Sequence, residues 1–363
     1  MKKQVILLLF LAVAMVAGCS KSDDNNVTPS TNTEIKAKLN VEFEEVFENT
    51  IYPSTIFSTA SLKNVQKDQL NYFNLKINSD KEFEGKIRVT NEKFINETIV
   101  EKKIKQGENT ISLNVLWKYD NFVNITNSGY THFKFELLDK NNKVITTENI
   151  QLSYRSINEC VFALNEDGKI SDTRIFFVSY VNEDSKLIDT FLSETLKNHN
   201  DHFGHEDMLN LPYGWAGYQI DDDYLDKQVW AIIYRLHELG MQYSSITDTS
   251  NSATKVFSQN VRFINESLKL KNANCVDGSV LVASILEKIG IRTFLVLEPG
   301  HMFLAYSKTG KIEPELSDLK FLETTLIGSS NYHNTIKEKK ITNKNIFISI
   351  SNKISLKNKI YLL

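Results

Sequence analysis

The chain has 363 residues, 41% of them hydrophobic, so it is long enough to bury two separate cores. Its net charge is −3 with acids and bases interspersed, which excludes the basic surface expected of a nucleic-acid binder or of a protein held to a membrane by charge alone. Three cysteines are too few for a disulfide scaffold and must be read one at a time.

Lys2 and Lys3 precede an apolar run from Val5 to Val16, followed by the small residues Ala17-Gly18 and then Cys19. A charged start, a short apolar stretch and small residues before a cut describe a secretory signal peptide over residues 1–18. The run is too short for a spanning helix. Val16-Ala17-Gly18-Cys19 resembles a bacterial lipobox, and that resemblance implies acylation of Cys19 and a membrane partner reached through lipid. Ser20 stands where inner-membrane-retained lipoproteins commonly carry Asp, which points to the outer membrane of a cell envelope, facing either the periplasm or the outside. Residues 19–35 read as a flexible polar tether, within which Ser22-Asp23-Asp24-Asn25-Asn26 looks like the acidic export tether of some surface lipoproteins.

Residues 36–155 carry a two-residue period. Val41/Phe43, Phe73/Leu75/Ile77, Ile87/Val89, Ile111/Leu113/Val115/Trp117 and Phe133/Phe135/Leu137 largely alternate with polar residues. Turn chemistry at Gln106-Gly107-Glu108-Asn109 and Asp139-Lys140-Asn141-Asn142 separates them. This pattern predicts an immunoglobulin-like β-sandwich that spaces or presents the second domain.

Residues 156–335 form that second predicted domain, and from about residue 183 the period becomes helical. Leu187, Ile188, Phe191, Leu192 and Thr195 share one predicted face, and Tyr224, Leu225, Val229, Ile232, Ile233, Leu236 and Leu239 share another, closed by Gly240. The loop Tyr213-Gly214-Trp215-Ala216-Gly217-Tyr218 between them reads as a packed connector or a substrate wall. His199, His202 and His205 fall three apart beside acids, but Gly204 and the drift of that spacing around a helix argue against zinc, so no metal and no cofactor are predicted.

The chemistry concentrates further on. Asn274-Cys275-Val276-Asp277-Gly278-Ser279 places a cysteine where a helix begins, with Asn274 as N-cap, Asp277 three residues later as in a capping box, and Gly290 as the stop. Unpaired N–H groups and the helix dipole favour thiolate there. Arg292–Leu297 and His301–Tyr306 read as consecutive strands, and Phe321–Leu326 as a third. His301 is then a base at a strand start, and Glu323 an acid able to hold its far nitrogen. Gln259 and Tyr243 are equal candidates for an oxyanion donor. A disulfide between Cys160 and Cys275 would consume the thiol this context presents, so both are expected free.

Cys, His and acid on helix, strand and strand, together with Gly240-Met241-Gln242-Tyr243-Ser244-Ser245-Ile246 and Gln259-Asn260-Val261-Arg262-Phe263, resemble successive blocks of bacterial transglutaminase-like proteins, a branch of the papain-type cysteine enzymes. The likeness covers roughly residues 225–328. It implies an α+β fold with a papain-type core, a Cys275–His301–Glu323 triad, and peptidase or amidase action on a peptide or protein substrate. The third member of that family's triad is usually Asp, and this chain has Glu323. Because folds outlive their chemistry, a catalytically inactive binding or structural surface lipoprotein is the alternative. The tail, residues 336–363, shows only the alternation Ile346/Ile348/Ile350 and reads as an edge strand or a poorly ordered segment.

Overall fold

The computed structural model describes residues 34–62, 71–202, 211–245, 254–337, 341 and 344–352. The expected signal peptide, Cys19 and most of the expected tether lie outside the described residues, as do residues 353–363 and the side chains of His199, His202 and His205. No helix among the described residues is long and apolar enough to cross a membrane.

The fold is mixed α+β. Its N-terminal half contains β1 (Ala37–Phe43), β2 (Thr50–Ile51), α1 (Pro53–Ser61), β3 (Phe73–Ser79), β4 (Phe83–Thr90), β5 (Thr98–Ile104), β6 (Gly107–Leu113), α2 (Tyr119–Phe122), β7 (Gly129–Asp139) and β8 (Val144–Tyr154). They form a three-stranded sheet in the order β1-β3-β6 and a five-stranded sheet in the order β2-β8-β7-β4-β5. Alternation along the strands sends every second side chain inward, and the two inner faces share one core. Phe73 of the smaller sheet packs its ring 5.1 Å from Phe133 and 5.2 Å from Phe135 of the larger. The pairing register places Leu39 opposite Ile77 and Val89 opposite Phe135.

The helix α1 departs from the all-strand expectation. Its sequence, Pro-Ser-Thr-Ile-Phe-Ser-Thr-Ala-Ser, has no apolar stripe, yet Ser54, Thr55, Ser58, Thr59 and Ser61 are all buried. Hydroxyls make that tolerable by bonding to main-chain oxygens: Thr59 to Thr55, Ser61 to Phe57 and Ser54 to Glu159. Pro53 starts the helix where its missing N–H costs nothing.

The C-terminal half contains β9 (Glu159–Glu166), β10 (Lys169–Asp172), α3 (Lys186–His202), α4 (Asp222–Glu238), β11 (Gln242–Tyr243), β12 (Val256–Asn260), α5 (Ile264–Leu270), β13 (Asn272–Ala273) and α6 (Cys275–Lys288). The remaining strands are β14 (Thr293–Glu298), β15 (His301–Ser307), β16 (Leu319–Leu322), β17 (Ile336–Lys337) and β18 (Ile346–Ser349). The last five form an antiparallel sheet in the order β17-β16-β15-β14-β18, so the start of the tail supplies an edge strand. Leu295, Leu297, Met302, Leu304 and Tyr306 turn one face of this sheet into the core that holds α4 and α6. Phe294, Val296, Phe303, Ala305 and Phe321 form a smaller cluster of their own. The α6 helix is buried from Val276 through Leu286, which explains its nearly continuous run of small and aliphatic residues.

Leu187 leaves its predicted stripe: it is exposed, while Ile188, Phe191, Leu192 and Thr195 are buried. The aromatic loop before α4 is a packed connector. Gln228 accepts from the N–H groups of Ala216 and Gly217 and donates to Gly217, and Tyr218 donates to the Ser307 carbonyl. Ser307 is at the far end of β15 from His301.

The two halves share a ribbon. In the sheet β10-β9-β12, Val161, Leu164 and Val256 belong to the core of the N-terminal half, whereas Cys160 belongs to the core around α6. Phe263, just past β12, packs against both cores. Glu159 fixes the ribbon from inside: it is buried and accepts a 2.7 Å bond from Ser258. The ribbon of the C-terminal half therefore carries residues of both cores.

Candidate active site

Cys275 is the first residue of α6. Asn274 caps the helix, its Oδ1 accepting the N–H groups of Val276 and Asp277 at 2.8 Å each. Asp277 returns the bond by accepting from the Asn274 N–H at 3.2 Å. The cap leaves the Cys275 N–H outside these bonds, at the positive end of the helix dipole. Cys275 is half-buried and Cys160 fully buried, and both are free thiols. Burial pushes the Cys160 thiol far up, so it is inert at neutral pH.

His301 opens β15 after a two-residue turn, Pro299-Gly300, in which Gly300 has φ +76°. Main-chain torsions of that sign favour glycine, which lets the hairpin close tightly and sets the histidine at the sheet's end. Its ring lies 6.1 Å from that of Phe303, nearly parallel to it. The imidazole Nε2 donates to both Glu323 oxygens, at 3.1 and 3.0 Å. With Nε2 held by Glu323, Nδ1 is the nitrogen left to act on Cys275, and the two groups shift one another toward their charged forms.

Glu323 is placed differently from the sequence expectation. The strand β16 ends at Leu322, and Thr324–Leu326 is a 3-10 turn rather than strand. Glu323 N–H donates to the Thr335 carbonyl at 2.8 Å, outside the ladder to β15. Thr325 donates to Glu323 Oε1 at 2.8 Å, and Thr324 packs on the helix, with its hydroxyl 3.3 Å from that of Ser279. A Cβ on Gly278 would come within 3.1 Å of the Thr324 hydroxyl, so glycine there lets the turn after Glu323 approach the Cys275 helix closely. His237 pins the next stretch by donating from Nδ1 to the Ile327 carbonyl at 2.8 Å.

The electrostatics arise from these contacts. Burial would raise the Cys275 thiol, but the His301 hydrogen bond, the Met302 N–H, the imidazole charge and the Val276 N–H together bring it below its usual range. His301 is raised to about 9, first by its bond to Cys275 and next by Glu323, against the opposing effect of burial. Thiolate and imidazolium therefore support one another, and the pair titrates as a unit.

Tyr243 and Gln259 separate clearly. Tyr243 is paired in register with Ala273, two residues before the nucleophile, and is half exposed. Its phenol is raised by partial burial and then by the charges of Cys275 and Glu323. Gln259 lies on β12 opposite Cys160, and its amide donates to the Asn260 carbonyl at 3.2 Å. No hydrogen bond joins Gln259 to Cys275, His301 or Glu323 among the described residues, and of the two oxyanion candidates Tyr243 is the one whose phenol is shifted by the charges of Cys275 and Glu323.

Sequence reasoning missed the Met302 N–H, which no pattern announces because it depends on the path of β15 past α6. It also missed Thr325, whose position two residues after an acid is the available signal for a local side-chain bond. Among the described residues no group of His, Cys, Asp or Glu side chains is arranged to hold a metal ion. Comparison of the chain with protein-family models, with curated proteins and with solved structures finds no match to any of them.

Proposed function

We propose that this protein is an acylated cell-envelope lipoprotein, anchored through Cys19, whose C-terminal half is a transglutaminase-like, papain-type peptidase or amidase acting on peptide or isopeptide amides. Its N-terminal half is then an immunoglobulin-like sandwich. The observation that carries the reading is that both Glu323 oxygens hold His301 Nε2 while the imidazole and the Cys275 thiol, at the start of a capped helix, shift one another toward their charged forms. A structural cysteine in a packed core has no use for such an arrangement.

The steps are those of acyl transfer. The thiolate adds to the amide carbonyl, forming a C–S bond, and the carbonyl electrons move to oxygen. The Tyr243 hydroxyl and the Cys275 N–H donate to that oxyanion. His301 gives its Nδ1 proton to the departing amine as the C–N bond breaks, leaving a thioester. Neutral His301 then takes a proton from water, whose oxygen attacks the thioester, releasing a carboxylic acid and restoring the ion pair.

The test is alkylation of Cys275 by iodoacetamide across pH, read by mass spectrometry of the Cys275 peptide. Wild type should react rapidly well below the ordinary thiol value of about 8.5. His301→Ala should return the profile to that of a free thiol, and Cys275→Ser should show no amide cleavage of a peptide library. A wild-type profile like that of a free thiol, unmoved by His301→Ala, would sink the catalytic reading and favour the inactive module.

A further inference from the structure

Behind the nucleophile stands a charge pair the reaction itself does not use. The carboxylate of Asp277 is 1% exposed. It accepts from the Arg262 N–H at 2.7 Å, from Arg262 Nη1 at 2.8 Å and from the Asn274 N–H at 3.2 Å. Arg262 comes just after β12, the strand of the shared ribbon, and the preceding residue is tied back by the Val261 N–H donating to the Asn158 carbonyl at 2.7 Å. A chain of direct bonds thus runs from the ribbon between the two cores to the residue before Cys275.

For helix capping alone a charge is unnecessary, since an uncharged Asn or Gln supplies the same acceptor. Burying a carboxylate with a guanidinium is also a poor route to stability, because desolvation offsets most of the attraction. What the pair does supply is geometry: the main-chain N–H and the guanidinium of one residue each hold a different oxygen of the Asp277 carboxylate. Here they fix Asn274 and Asp277, on either side of Cys275.

We propose that Arg262 and Asp277 are positioning residues that hold Cys275 in register with His301. This rests on the acyl-transfer reading and assigns the pair no contact with substrate.

The alkylation profile in the full chain separates positioning from charge. Asp277→Asn removes a negative charge from the first turn and leaves Arg262 uncompensated, so electrostatics alone makes the thiolate easier to form and lowers the midpoint. Arg262→Lys keeps the charge, so electrostatics alone leaves the midpoint where it is. Loss of register raises it in both, by about one pH unit or a tenfold loss of thiolate at fixed pH. The expected result is that rise in both variants, with circular dichroism retained. A midpoint unchanged or lowered in Asp277→Asn together with an unchanged one in Arg262→Lys overturns the proposal. If Asp277→Asn does not fold, Arg262→Lys decides, since the Arg262 side chain is 17% exposed and the main-chain bond to Asp277 survives the change. A wild type with an ordinary thiol profile instead removes the acyl-transfer reading, and this one with it.

Discussion

Replacing Glu323 by Gln tests the least conventional member of the triad. Two bonds of 3.1 and 3.0 Å join its carboxylate to the Nε2 proton of His301, and both side chains are largely withdrawn from water. A hydrogen bond to a charged group contributes roughly 1.5–3 kcal/mol. At 1.36 kcal/mol per tenfold, losing it at the imidazolium-bearing step slows turnover roughly ten- to a hundred-and-fifty-fold. The pH profile changes in a defined direction. His301 is raised to about 9, with Glu323 the second cause after Cys275, so removing the carboxylate lets the imidazolium lose its proton at lower pH. The alkaline limb of the amide-cleavage profile, set by the proton His301 must give to the leaving amine, therefore moves down from about 9, while Cys275 itself stays open to alkylation. Glu323→Asp should behave like Glu323→Gln. Its carboxylate withdraws by one C–C bond, about 1.5 Å, beyond hydrogen-bond reach. The backbone cannot move to compensate, because the Glu323 N–H is bonded to Thr335 and Thr324 is seated against Gly278. Alkylation and cleavage rates measured on the three proteins decide it. A Glu323→Gln protein with wild-type rates and an unmoved alkaline limb would refute the reasoning, and a wild-type-like Glu323→Asp would show that the turn moves after all.

Tyr243→Phe should lower amide cleavage about a hundredfold while leaving iodoacetamide labelling of Cys275 intact, because an oxyanion donor acts only on the tetrahedral intermediate; equal loss in both assays would mean that the hydroxyl serves the ground state. A fragment beginning at residue 156 should be insoluble or unfolded by circular dichroism, since Val161, Leu164 and Val256 lose partners whose burial is worth roughly 1.5–3 kcal/mol per side chain. A folded fragment that labels like the full chain would contradict the shared ribbon. Cys19→Ser should abolish incorporation of a fatty-acid probe, and retention of label in that variant would remove the lipobox assignment.

The local chemistry of the site was legible because it is local. Asn274 and Asp277 announce a helix start, Gly290 its end, and two apolar runs, Arg292–Leu297 and His301–Tyr306, consecutive buried strands of which the second starts at His301. These signals depend on torsions and bonds between residues a few positions apart, which a single sequence encodes directly. The same holds for the strands built on Phe73/Leu75/Ile77 and Phe133/Phe135/Leu137, whose period matches the pleat of a half-buried sheet. Where contacts are remote the sequence is silent. The polar helix α1 has no stripe to read, because Ser54 is satisfied by the Glu159 carbonyl, remote in sequence, and Thr59 and Ser61 by carbonyls one turn back. The choice of Tyr243 over Gln259 depends on β11 lying beside β13, a pairing between segments thirty residues apart that leaves no trace in either. Placing Glu323 after a strand rather than within one results from its N–H turning to Thr335, and the partnership of Arg262 with Asp277 results from where the ribbon between the two cores ends. Residue type and spacing thus determined which groups could do chemistry; which of them meet was decided by packing, since α6 lies against β15 and against the Thr324–Leu326 turn, bringing helix, strand and turn to one point.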